Sequence, residues 1–144
     1  MRILIASAVL AAACGTALAQ PAAPDLKGTW IGQFRTVIIG HNSHHPGEET
    51  VASPPRIREI AFTFDIEGQD GSLVWGHSWS DPATKEPFAD SVTPDGKTAM
   101  VADTDGSMTM TFTGDTRMDL CYSHTGLGPS GSIVVSCGSL ARTD

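Results

Sequence analysis

Ile60-Ala61-Phe62-Thr63-Phe64-Asp65-Ile66 decides the fold class. Ile60, Phe62, Phe64 and Ile66 fall on one side of a two-residue period, and Ala61, Thr63 and Asp65 on the other. Successive side chains of a strand point to opposite faces, so this pattern buries one face of a sheet and wets the other. Gly68 to Gly71 then reads as a turn cluster. Beyond it, Leu73, Trp75, His77 and Trp79 share one face, with Val74, Gly76 and Ser78 on the opposite one. So short a connection joins the two strands as an antiparallel hairpin.

The same period runs through the rest of the chain. An opening strand spans Thr29 to Ile39, and a short one spans Phe88 to Val92. Thr93-Pro94-Asp95-Gly96 is a turn whose proline presets φ and whose glycine takes a positive φ. Thr98 to Ala102 follows, and Asp103-Thr104-Asp105-Gly106 turns again. Met108, Met110 and Phe112 alternate with threonines, and after Gly114-Asp115 so do Met118, Leu120 and Tyr122 with Asp119 and Cys121. Ile133 to Cys137 begins the last strand. There is no helical periodicity and no internal repeat.

About eight strands at roughly 8–12-residue spacing describe an all-β, antiparallel up-and-down meander. An open meander leaves two unpaired edges, and closure into a barrel removes both. A barrel is therefore the expected architecture, with an open sandwich as the alternative.

Upstream of the strands, Arg2, the apolar run Ile3 to Ala13 and the small-x-small site Ala17-Leu18-Ala19 read as a secretory signal at residues 1–19. That run is too short to span a bilayer, which needs roughly 20 apolar residues. Residues 20–25 form a short tether and residues 26–144 a single barrel domain. Lipidation at Cys14 is the rival reading; the Ala11-Ala12-Ala13 before it lacks the leucine such sites carry. The expected location is periplasmic or secreted, with no transmembrane segment after cleavage.

Signal removal leaves Cys121 and Cys137, most simply one disulfide in an oxidising compartment. Directly paired residues in a hairpin keep a constant sum of positions. Here that sum is 258, which centres the turn on Pro129, within Thr125-Gly126-Leu127-Gly128-Pro129-Ser130-Gly131. The cleaved chain carries eight bases against sixteen acids, a net charge of −8. Such a surface repels phosphate backbones, so nucleic acid is not an expected partner. The oligomeric state is not legible.

At Leu26-Lys27-Gly28-Thr29-Trp30 the chain resembles the opening of lipocalin and avidin-like barrels, which begin their first strand with Gly-x-Trp. That resemblance implies an eight-stranded meander, a tryptophan closing the barrel floor and, loosely, a pocket. Ile31 and Gly32 stand where the biotin binders carry ligand-reaching residues, so biotin binding is not implied. The chain also resembles small exported bacterial proteins, which implies no activity.

Two groups of residues are candidates for function. Trp30, Trp75 and Trp79, with Phe34, would line an apolar cavity for a small, partly apolar ligand, and His77 shares their expected strand face. The same rings would instead fill the core of a small barrel. His41-Asn42-Ser43-His44-His45-Pro46-Gly47-Glu48-Glu49 places three imidazoles and two carboxylates in one loop. Imidazole beside carboxylate suits zinc or copper, which makes His41, His44 and His45 candidate ligands, with His77 or His124 as a fourth. A solvated polar loop is the competing reading. Asp103-x-Asp105-Gly106 lacks the third acid and distant glutamate of a calcium loop and reads as a turn. Gly-x-Ser-x-Gly and His-Glu-x-x-His are absent, and no catalytic residues are selected. The functions to weigh are a ligand-binding barrel, a structural or protein-interaction module of the envelope (an inhibitor, for instance), and a metal-binding protein.

Overall fold

A computed structural model of the chain describes residues 23–42, 44–126 and 131–143. The expected signal, the first half of the tether and the centre of the last turn lie outside them. Eight strands follow in order: β1 (Gly28–Gly40), β2 (Arg56–Asp70), β3 (Leu73–Trp79), β4 (Glu86–Val92), β5 (Thr98–Ala102), β6 (Gly106–Gly114), β7 (Arg117–Thr125) and β8 (Ser132–Thr143). Each pairs antiparallel with the next, and β8 pairs back onto β1 to close the barrel. The architecture is the expected closed meander.

This connectivity sorts the loops. The β1–β2, β3–β4, β5–β6 and β7–β8 connections lie at one end, the mouth. The tight β2–β3, β4–β5 and β6–β7 turns lie at the other, the floor, with the segment entering β1. Trp30 closes the floor: its indole is buried and donates to the Leu26 carbonyl at 2.9 Å. Above it Phe64, Phe88, Met108, Met110, Met118, Leu120 and Leu140 fill the barrel interior.

The facing of β3 corrects an expectation. Val74, Gly76 and Ser78 point inward, while Trp75 and His77 point outward. The cause lies in the flanking strands. Phe64 on β2 pairs with Ser78, and Phe88 on β4 pairs with Gly76. These two rings meet over the small side chains of β3 with centroids 5.0 Å apart. Two tryptophans on the same face would have no room there. Nor would a side chain at Gly76, where a Cβ would stand 2.0 Å from the Asp65 carbonyl oxygen.

Strand β2 also outruns its expected end. It continues through Gly68 to Asp70, with a bulge between Ile66 and Gly68, and the turn falls on Gly71, whose φ is +59°. A bulge leaves one residue unpaired and raises the local twist. The Trp75 ring lies against Gly68 from outside; a Cβ at Gly68 would come within 2.3 Å of it. Trp75 thus covers a glycine and remains 48% exposed.

Cys121 and Cys137 are direct partners across β7 and β8, in the expected register, and are joined by a disulfide with a Cα separation of 4.2 Å. Both lie on the outer face. Chain entropy for so short a loop gives about 3 kcal/mol. The hairpin is already held between β6 and β1, so the bond adds less. Cys121→Ala/Cys137→Ala should therefore lose no more than about 3 kcal/mol in urea denaturation and keep its β-sheet circular dichroism.

Candidate functional site at the barrel mouth

A pocket opens at the mouth; the space among its lining residues, including the open solvent at its entrance, is ≈ 570 Å³. Its apolar base is Phe34 on β1, Ile60 and Phe62 on β2, and Val134 on β8. The base continues into the core as a file of tilted rings: Phe34 to Phe62 at 5.5 Å, Phe62 to Phe64 at 5.3 Å, then Phe88. Beside it Thr36 and Ser136, directly paired on β1 and β8, share a buried 2.6 Å hydrogen bond.

The polar wall comes from the loops. Asn42, just past β1, accepts the backbone N–H groups of His44 (2.9 Å) and His45 (2.7 Å) on its Oδ1. This short side-chain-to-backbone turn is the ordinary use of asparagine at a strand exit. It aims both histidines over the opening. The rest of the loop is tied back at its other end. His41 Nδ1 donates to the Glu49 carbonyl, Glu49 pairs with Arg56 at 3.3 Å, and Arg56 donates to the Gly40 carbonyl at 2.7 Å.

Opposite stand three carboxylates: Glu86 at the start of β4, and Asp103 and Asp105 between β5 and β6. His44 Nε2 lies 3.3 Å from Glu86 Oε1, which also accepts the Thr104 hydroxyl. Asp105 Oδ1 accepts the Tyr122 hydroxyl at 3.0 Å. His124 Nδ1 donates to the Asp105 carbonyl at 2.8 Å and lies 3.2 Å from Asp105 Oδ2. Its Nε2 then accepts from Ser132 Oγ at 3.0 Å. With both nitrogens engaged, His124 orients Asp105.

Burial shifts two groups here. It holds the His45 imidazole below its ordinary pKa, helped by the nearby His44 and Arg56 charges. It pushes the Tyr122 phenol well above its ordinary value, helped by the Asp105 and Asp103 charges. Tyr122 therefore stays a hydrogen-bond donor to Asp105 at any physiological pH.

Of the residues expected to line a ligand cavity, Phe34 lines this pocket, and so does Trp79. It is the last residue of β3 and carries Lys85 Nζ 4.0 Å above its ring. Trp30 sits at the opposite end of the barrel. Trp75 is outside, as is His77, which pairs with Glu67 at 2.8 Å. Of the expected metal ligands, His44 and His45 line the pocket and His41 is tied to Glu49. Among the described residues, the group able to share one ion is His44, Glu86 and Asp105, with ligating atoms all within 4.8 Å of one another. Glu86 and Asp105 were not singled out by the sequence as candidate ligands. One signal would have found them: in an up-and-down barrel, alternate connections share an end.

No family model matches the sequence, and no curated protein matches it. Among solved structures the chain is similar to an S-type phycobiliprotein lyase, CPES, from Guillardia theta. The TM-score is 0.40 at 10% identity, over 83% of this chain and 89% of that one.

Proposed function

We propose that this barrel binds a small, partly apolar ligand that inserts one end into the mouth pocket. The observation that carries the reading is the asymmetry of the barrel: a filled, tryptophan-plugged floor beneath an open mouth with an aromatic base. Binding pockets combine such an apolar base with a few convergent polar groups. Much of the space lies in the opening, so the ligand is held by one end. The acceptor-rich wall of Glu86, Asp103 and Asp105 favours a ligand with hydrogen-bond donors or positive charge. The disulfide suits an oxidising location, and export to the periplasm or beyond fits the expected signal.

Titration with the neutral dye N-phenyl-1-naphthylamine tests the reading. We expect saturable one-to-one binding, weakened about tenfold or more by Phe62→Asp, since losing a buried aromatic contact is worth about 1.5–3 kcal/mol. Trp75→Ala, outside the barrel, should bind as the parent does. Non-saturable binding, or equal binding by a folded Phe62→Asp protein, would overturn the proposal. An interaction module is the competing reading. It draws on Val37, Ile57 and Val135, cross-strand neighbours exposed on the outer face. Failure of the titration would leave that reading the stronger one.

A further inference from the structure

We infer that the mouth also holds a divalent transition-metal ion, between His44 Nε2 and the carboxylates of Glu86 and Asp105. The three residues are distant in sequence and come from the β1–β2 loop, the start of β4 and the β5–β6 turn, yet their ligating atoms lie within 4.8 Å of one another. An ion with bonds of about 2.0–2.2 Å sets its ligands no more than about 4.4 Å apart, so small side-chain movements close the site. One imidazole nitrogen and two carboxylate oxygens suit zinc, cobalt or manganese, with remaining positions open toward the pocket.

Two further features single out this group. The first is that each ligand is already oriented. Thr104 holds Glu86; Tyr122 and His124 hold Asp105; the Asn42 turn holds the backbone of His44. Outer partners of this kind fix the direction of ligand lone pairs and are a regular part of metal sites. The second is charge. Among the described residues, three carboxylates line the pocket and no lysine or arginine does. Lys85 is placed on the Trp79 ring, and Arg56 on Glu49 and the Gly40 carbonyl. A cation would supply the missing positive charge. His41 takes no part, being bonded to the Glu49 carbonyl.

The inference uses the polar wall and not the apolar base, so it stands or falls separately from dye binding. The test is titration of the purified, metal-free protein with Zn²⁺ against a chromogenic chelator, and with Co²⁺ followed by its visible absorption. We expect one ion per chain with micromolar or tighter affinity. Glu86→Gln, Asp105→Asn and His44→Ala should each weaken it by about tenfold or more, whereas His41→Ala and His77→Ala should not. Glu86→Gln preserves shape and hydrogen bonding, which keeps a folded variant in the set; circular dichroism checks each protein. Absence of saturable binding, or affinity unchanged in folded Glu86→Gln and His44→Ala, would overturn the site. So would loss on His41→Ala with Glu86→Gln intact.

Discussion

Asp90→Asn should stabilise the barrel by about 4 kcal/mol near pH 8 and leave its stability nearly unchanged near pH 4. Asp90 points into the barrel from β4, is 6% exposed, and neither carboxylate oxygen has a hydrogen-bond partner among the described residues. Its direct cross-strand partners are Val74 and Val101, both buried. The other inward residues of β3 and β5 are Gly76, Ser78 and Ala99, so neither flanking strand brings a charge to it. Burial alone pushes its pKa from 3.8 up to about 7. The folded chain thus binds one more proton than the unfolded chain between those values. The contribution of Asp90 to stability is greatest below the unfolded pKa and falls by about 1.4 kcal/mol per pH unit as pH rises toward the folded one. Asparagine has the same shape and no charge, so it removes that slope while keeping the cost of a neutral unpaired polar group. Urea denaturation of both proteins at several pH values measures the difference. Parallel stability curves would show that Asp90 is solvated or paired in solution.

Most of the barrel was readable because a two-residue period survives in nearly every strand, and turn chemistry marks the gaps. The positive φ of Gly96 and the Cys121–Cys137 pairing are both local consequences of residue type and spacing. What failed was the facing of β3. Alternation shows that two faces exist; hydrophobicity favours the tryptophan face for the interior. The outcome depends on side-chain volumes contributed by other strands, the Phe64 and Phe88 rings, and no local pattern encodes that.

The mouth was half legible for a related reason. The His-rich loop stood out because its residues are neighbours in sequence. Its partners Glu86 and Asp105 are each ordinary acids beside a turn, and only closure of the sheet makes them neighbours of His44. The order of connections around an up-and-down barrel carries that information even though residue spacing does not.

The floor leads to the second large effect. Trp30→Ala should cost about 3–5 kcal/mol of stability, because a large buried side chain is removed from a site ringed by other fixed side chains. Trp30 is 1% exposed and belongs to the same packed cluster as Leu26, Phe64 and Leu140. Its indole N–H also satisfies the Leu26 carbonyl, which the alanine would leave without that donor. Arg142 on β8 lies 5.5 Å from the ring centre and donates to the carbonyls of Lys27 and Asp25, so it clamps the entering segment over the tryptophan. Trp30→Phe keeps most of the volume and should lose about 1–3 kcal/mol, for the missing hydrogen bond and the smaller ring. Arg142→Ala combined with Trp30→Phe should fall short of additivity by about 0.5 kcal/mol or more, since the guanidinium lies within cation–π range of the ring. Because a filled core separates floor from mouth, Trp30→Phe should bind N-phenyl-1-naphthylamine as the parent does while melting at a lower temperature. A Trp30→Ala protein within about 1 kcal/mol of the parent would mean that the plug is dispensable and that strand pairing alone holds the barrel shut.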